Sequence, residues 1–535
     1  MKEKSIVFWG VGTFCRAYLE NNAKIEPSFF IDSNYFGEEF YGKKVVSPEA
    51  IEDWQGLFVI IMCKVYAEIV DDLTARGLKA GTDFITYDML CDHKKITYRE
   101  SIEQCREFAT VKNYKNTTLL FIPVFTMRQN GTMLNFLAAY QEAHKNEQCI
   151  ILTDCEGMDT SGVIEKYGWD VIDLPLLSNW YETREYREAL KAEEPGQGCE
   201  NEKILEIMHR KRVEDADSTK QCLALMYEYY EQLLMILEAK RIIVWAAWNF
   251  QGYVLSRVAE VHQIPIGFME FGWIPGTYQV DRKGIQGQGE YALNPQKLLD
   301  IEVEKEEIDK AGAVKAYIID SQRDTGIFHR TTTDDECLAK LDADRKTVFV
   351  AGMDDEGMGM NPASDYWYQY VSHCFQSSKE MLAFLYDICR RNDWNLIFKP
   401  HPHYNKGNLP DIADIDSGII LVLDRDVDSL IQMSDVTVCM ASAVEYKALM
   451  YGKPVLPVGR SAIQGKNCAY EVRDRSEIET ALQEAVQKGM TKEQNAAFDM
   501  HLAQLMKACL WDDLSERDLR YGLPVTYNFF EEERV

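Results

Sequence analysis

Two histidines, a serine and a few carboxylates sit where glycine and proline break the chain, and these are the residues that could do chemistry. In NLIFKPHPHYN, His401 and His403 follow a short apolar run, Asn395–Lys399, which Pro400 and Pro402 stop. In SDVTVCMASAVEYKALMYGKPVLPVGR, Ser442 precedes a helical stretch and Glu445 stands three positions on, the spacing of a Ser-x-x-Glu capping box. A hydroxyl at a helix mouth, with the N–H groups around Ala443 and the helix dipole behind it, suits a phosphate, and His401 could add a second contact from the next strand. His401, Ser442, Ala443 and Glu445 therefore predict a site for a phosphorylated ligand. The plainer alternative is that Ser442 only caps its helix and His401 is an ordinary loop histidine.

A second set lies upstream. Glu270 ends an apolar run, and Gly272, Pro275 and Gly276 mark a loop before Asp281. A carboxylate at the C-terminal edge of a parallel strand faces the ligand crevice, so Glu270 and Asp281 are read as acid/base or nucleophile candidates. The alternative is that Glu270 anchors the loop through main-chain N–H groups and Asp281 is solvated. Arg128 and Asn130 in a strand-to-helix loop, Asn249 after a strand, Asp354 in GMDDEGMGMN and Lys466 in GKNCAY are read as substrate-loop residues. Asp154-x-Glu156 and Asp354-x-Glu356 match a metal-binding Asp-x-Asp motif only loosely, and no metal is expected.

Periodicity supplies the elements that must position these residues. Residues 1–90 read as a Rossmann-like module: strand 6–9, Gly10 and Gly12, a helix to about 22, strand 28–31 ending in Asp32, strand 58–63, and a helix 66–76 closed by Gly77. Cys15 replaces the third glycine of G-x-G-x-x-G, which favours an accessory docking or regulatory module over a working NAD site. A charged linker helix spans 92–116. Strand 118–125, loop 126–131, helix 132–144 and strand 149–153 open a second α/β module, and charged helices fill 180–240. Strands 242–248 and 264–269 follow. A third module begins with strand 347–351, continues through helix 376–391 and strand 395–399, and ends in the unit 436–440, 443–451, 455–458 that carries Ser442. The expected division is 1–90, 91–116, 117–335, 336–510 and a tail, 511–535, packing back.

The KPHP element, the Ser-x-x-Glu helix ending ALMYGKPV and the segment MEFGWIPGTYQVDRKGI together resemble the capsule polysaccharide biosynthesis family of bacterial glycosyltransferases, over roughly residues 117–472. Some members transfer 3-deoxy-manno-octulosonic acid (Kdo) from CMP-Kdo. The resemblance implies an α/β fold with two Rossmann-like domains in the GT-B arrangement: an acceptor half, 117–335, and a nucleotide-sugar donor half, 336–510. It also implies a glycan or glycolipid acceptor, no required cofactor, and peripheral association with a membrane assembly complex. Related CDP-glycerol phosphotransferases and CMP-sialic acid transferases hold the cytidylate phosphate with a His-Pro pair and two serines. Here Ala441 and Ala443 flank Ser442, so the second serine is missing. A CDP-polyol phosphotransferase, a non-hydrolysing UDP-sugar 2-epimerase and a non-catalytic scaffold are the competing readings.

Composition bounds the choice. The 535 residues exceed one ordinary core, and 46% apolar with 27% charged residues is globular composition. A net charge of -28 argues against a nucleic-acid or anionic-lipid partner, so a phosphate site must be built locally. Fourteen cysteines without a C-x-x-C pair suit a reducing cytoplasm. MKEKSIVFWGVG has no apolar stretch of signal length, and the expectation is a cytoplasmic protein.

Overall fold

The computed structural model describes the chain apart from residues 1–3, 13–14, 17, 20–24, 34, 38, 64–65, 88–97, 115, 123–126, 154–166, 175–201, 212–215, 248–249, 322–337, 356–359, 402–417, 424, 514–520 and 526–535. Two compact units emerge, one of residues 1–208 and 213–266, the other of 209–212 and 267–535. The α/β class expected from the sequence is the class observed, because each unit is built on parallel strands of apolar, β-branched residues.

In the first unit, β1 (Ser5–Trp9), β2 (Phe30–Ile31), β3 (Glu39–Phe40), β4 (Lys43–Val46), β5 (Leu57–Ile61) and β6 (Phe84–Thr86) form a sheet in the order β3-β4-β2-β1-β5-β6. Every pairing is parallel except β3 with β4. Val7, Val59 and Ile61 pack on one face, and Phe8, Phe30 and Ile60 on the other. The alternation is that of a strand buried on both sides.

The same unit continues with β7 (Thr117–Ile122), β8 (Gln148–Thr153), β9 (Asp170–Asp173) and β10 (Ala239–Trp245), parallel in the order β9-β8-β7-β10. The expected linker helix forms at Tyr98–Lys112 and lies on the helix Ala216–Ile236, where the Ser101 and Tyr229 hydroxyls are 2.7 Å apart. One boundary differs from expectation: the helix Met127–Ala143 begins five residues early and absorbs Arg128 and Asn130, which the sequence reading placed in a loop. Gly131 does not break it, since a single glycine costs a helix only about 1 kcal/mol.

The second unit opens with β11 (Ile266–Phe271) and β12 (Thr277–Asp281), an antiparallel hairpin, and β18 (Leu510–Asp512) pairs antiparallel with β12. Glu270 is thus inside a strand rather than past its end, opposite Gln279. The remainder is a fully parallel sheet of β13 (Thr347–Ala351), β14 (Asn395–Lys399), β15 (Ile420–Leu421), β16 (Val436–Cys439) and β17 (Val455–Pro457). Its order is β15-β14-β13-β16-β17, so the chain adds two strands on one side of β13 and then crosses to the other. That reversal leaves a crevice outside the C-terminal ends of β13 and β16, where doubly wound sheets hold ligands. Among the described residues, no helix is long and apolar enough to cross a membrane.

Candidate functional site

The loop after each strand bounds the crevice. After β13, Gly352 donates its N–H to the Lys399 carbonyl at 2.8 Å, and a side chain there would press on the Phe398 ring and Pro400. The loop beyond it is braced by one of its own acids: Asp355 accepts both the N–H and the hydroxyl of Ser378, each at 2.7 Å. That carboxylate fills the N-terminus of the helix Ser378–Asn392, whose own cap is Ser377. Asp354 is half-buried beside it, and Glu356 lies outside the described residues. After β14, Pro400 stops the strand and His401 comes next, half-buried; His403 lies outside the described residues.

After β16 come Met440, Ala441 and Ser442, and then the helix Val444–Met450, with Gly452 just past its end at φ +68°. The helix is where the sequence put it, but the capping box does not form. The N-cap is Ala443, and its neighbour Ser442 accepts the Val444 N–H on its Oγ at 3.3 Å and the Glu445 N–H on its carbonyl at 3.2 Å. Two of the helix's first donors are therefore already used. Glu445 does not reach back to the cap, because its side chain is fully buried. The Ser461 hydroxyl and the Ser442 main chain face the carboxyl, yet neither makes a well-aligned hydrogen bond to it. Burial pushes this acid up to about 8, so it is neutral at pH 7 and carries a proton to donate.

After β17, Val458 donates to the Cys439 carbonyl at 2.8 Å, Gly459 runs against Met440 too closely for any side chain, and Arg460 donates its N–H to Val371 at 2.8 Å. Ser461 is buried. The strand-end loops of β16 and β17 are thus locked together, and Ser442, Glu445, Arg460 and Ser461 share one edge. Sequence reasoning missed Arg460 and Ser461. Their signal was present, since they follow β17 as Ser442 follows β16.

The carboxylates and loop cation read from the sequence end up in different places. Glu270 is half-buried and takes the adjacent Phe271 N–H at 2.9 Å. Its loop seats Trp273 flat on Tyr446, the residue after Glu445, at 5.2 Å and 18°. Asp281 accepts the N–H groups of Lys283, Gly284 and Glu290 at 2.7, 3.2 and 2.8 Å and so pins the turn 282–290. Burial outweighs these bonds and raises it to about 6, but both oxygens are engaged by main chain, which leaves it poorly placed as a base. Lys466 folds inward, buried, and its ammonium binds the Tyr291 and Gln464 carbonyls at 3.1 and 3.3 Å, which ties the loop down. Burial lowers it to about 8, and its charge helps burial hold His501, which contacts the Tyr446 hydroxyl at 3.0 Å, down to about 3. Asn249 and the side chains of Arg128 and Asn130 lie outside the described residues.

No protein-family model matches the sequence, and no curated protein sequence matches it. Solved structures similar to it include the β-Kdo 2,7-transferase of KpsC from Thermosulfurimonas dismutans, at 16% identity and TM-score 0.34 over 53% of this chain and 82% of that one. A UDP-GlcNAc 2-epimerase from Methanocaldococcus jannaschii, solved with UDP-GlcNAc and UDP, is similar at 10% identity and TM-score 0.32, covering 73% and 99%. The glycosyltransferase SnogD from Streptomyces nogalater is similar at 10% and TM-score 0.28, covering 73% and 95%. With likenesses this distant, the case for the fold rests on the strand orders above.

Proposed function

We propose that this chain is a nucleotide-sugar-dependent glycosyltransferase whose donor binds at the C-terminal ends of β13, β14 and β16. The observation that carries the reading is the strand reversal, which sets Ser442, with Glu445 behind it, beside the one crevice that doubly wound sheets use for ligands. Ser442 and the Ala443 N–H take the donor phosphate, and His401, following the adjacent strand, adds a contact. Glu445, neutral and faced by the Ser461 hydroxyl and the Ser442 main chain, carries the proton for a hydrogen bond to a donor oxygen. Glu270, not Asp281, is the base that takes the acceptor hydroxyl proton. A cytidylate-activated acidic sugar such as CMP-Kdo is the donor suggested by the sequence resemblance, with a surface glycan or glycolipid as acceptor, at the cytoplasmic face of the membrane and without a metal.

Calorimetric titration of CMP, UDP and GDP into wild type, Ser442→Ala and His401→Ala tests the site. One nucleotide is expected to bind wild type and to weaken roughly tenfold in Ser442→Ala, as loss of a charge-assisted hydrogen bond would cause. Binding of none of them, or equal binding in all three proteins, removes the donor site from this crevice. Turnover of a nucleotide sugar without acceptor, yielding an isomer, would identify an epimerase instead, and loss of transfer on chelation would contradict metal independence.

A further inference from the structure

The edge of the crevice holds a cation that makes no ion pair among the described residues. Arg460 is half-buried, its Nε is wholly shielded from solvent, and among the described residues no carboxylate and no hydrogen-bond acceptor meets its guanidinium. Removing an arginine from water without an anion is costly, and this chain, with 86 acidic against 58 basic residues, had ample means to supply one. Its surroundings carry charges of both signs, none of them paired with it. His373, with its Nε2 against the Val472 carbonyl at 3.0 Å and its Nδ1 buried without a partner, is held below its usual range by burial and, in smaller part, by Arg460. Asp474 and Glu477 act on that histidine in the opposite sense, but neither is within ion-pair reach of Arg460.

The turn that Asp281 pins closes the other flank. Gly287 packs on Arg460 and the Tyr370 carbonyl so tightly that no side chain fits there. Gln286 beside it is left-handed, at φ +49°, and its Oε1 is buried without a partner. Gln288 accepts from Arg210 at 2.5 Å, and the Arg210 guanidinium lies over the rings of Tyr366 and Tyr370 at 4.9 and 5.1 Å. Lys211, buried next to it, is pushed down to about 7 by burial and by Arg210. Two arginines therefore border this turn, Arg460 at Gly287 and Arg210 at Gln288, and Ser461 follows Arg460 directly.

We propose that Arg460 binds a second anionic group of the substrate, in addition to the phosphate at Ser442: either the outer phosphate of a nucleoside diphosphate or the carboxylate of an acidic sugar. Each, the tetrahedral phosphate or the planar carboxylate, presents a pair of oxygens that a guanidinium fork can bind with two N–H groups. The inference rests on the donor-site reading for the first phosphate, but not for the charge at Arg460.

The test is calorimetric titration of UMP, UDP, CMP, CMP-N-acetylneuraminate and inorganic pyrophosphate into wild type, Arg460→Gln, Arg460→Lys and Ser442→Ala, each checked for folding by circular dichroism. Arg460→Gln is expected to lose roughly 10- to 100-fold in affinity for UDP or for CMP-N-acetylneuraminate while UMP and CMP stay within about twofold, with Arg460→Lys between them. Whichever of UDP and CMP-N-acetylneuraminate loses its advantage over its monophosphate identifies a phosphate or a carboxylate. A structural role would lower all ligands alike, so equal losses, or none, overturn the proposal. If Ser442→Ala still weakens the monophosphates in that case, the donor site stands without it. If only pyrophosphate binds and Arg460→Gln abolishes it, the Arg460 subsite stands and the donor reading falls. Should wild type bind nothing, both fall, and should Arg460→Gln fail to fold, Arg460→Lys carries the same comparison.

Discussion

The sheet of β1–β6 and the sheet of β13–β17 are each built around a central parallel strand with a crevice at its C-terminal end, yet their mouths differ in what they leave unsatisfied. At the first, Asp32 accepts the Val11 N–H at 3.1 Å and the Tyr35 N–H at 2.9 Å, so the glycine loop's donor is taken by the protein's own carboxylate. Gly10 there is held at φ +110° with Cys63 filling the space a side chain would need. At the second, the Glu445 carboxyl is buried without a well-aligned hydrogen bond, and the Arg460 Nε is shielded from water without a partner among the described residues. A fold offers the crevice, but only a crevice with polar groups left over has free energy to gain from a ligand. Among the described residues, the first mouth meets its loop donor with its own carboxylate. The second is the one to which the proposed function assigns a ligand.

The sharpest way to break the contrast is to displace the β16 and β17 loops. Gly459→Ala places a methyl on the Met440 carbonyl and near that of Val371, so main chain must move. A loss of at least about 3 kcal/mol is expected in chemical denaturation. Gly12→Ala in the first mouth meets nothing within 4 Å and takes no left-handed strain, and it should cost less than about 1 kcal/mol. Equal losses at the two glycines would mean that the two mouths are packed alike.

How much of this could be read from the sequence depends on the range of each signal. The run Asn395–Lys399, the helix after Ser442 and the glycine that ends it are local patterns, and they stand where period and punctuation put them. Side-chain partners are not local. Glu445 has the spacing of a capping residue, but it lies on the face that Tyr446 and Leu449 carry into the core, so burial wins over the cap. Asp281 reads as an acid/base candidate or a solvated acid, and the three N–H groups of the turn 282–290 that close on it are not legible in the sequence. Lys466, in a glycine loop, reads as a substrate-loop residue; the Tyr291 carbonyl that helps draw it in is 175 positions upstream. Arg460 looks like any charged residue after a strand, because what makes it unusual is that no described carboxylate pairs with it.

The next effect concerns protonation at the second mouth. Glu445 is near 8 in the folded chain against an ordinary 4.5. Below about pH 4.5 both states hold the proton and nothing changes. Between 4.5 and 8 the unfolded chain releases it while the folded chain keeps it, so stability falls by about 1.4 kcal/mol per pH unit, and it levels off above 8. Glu445→Gln removes that slope. Relative to wild type, the variant should gain roughly 2 to 3 kcal/mol between pH 6 and pH 8 in denaturant titrations. A constant difference over that interval would show that a partner already compensates the carboxyl, and the second mouth would then be as finished as the first.

The smallest effect should come from Asp32, and it asks whether the first mouth is closed for its own sake. Asp32→Ala leaves the Val11 and Tyr35 N–H groups without their acceptor, and two such bonds at a partly solvated loop are worth about 1 to 2 kcal/mol. Hydrogen exchange should read this locally, with the Val11 amide exchanging roughly tenfold faster or more and the β14 amides unchanged. Nucleotide affinity should stay within about twofold, since Asp32 belongs to the β1–β6 sheet and the donor contacts belong to β13–β17. If Asp32→Ala instead created or abolished binding of a nucleotide, the carboxylate would be acting as an occupant or a ligand of that loop. The first mouth would then be a second binding site rather than a closed one, and the contrast between the two sheets would lie in what they bind.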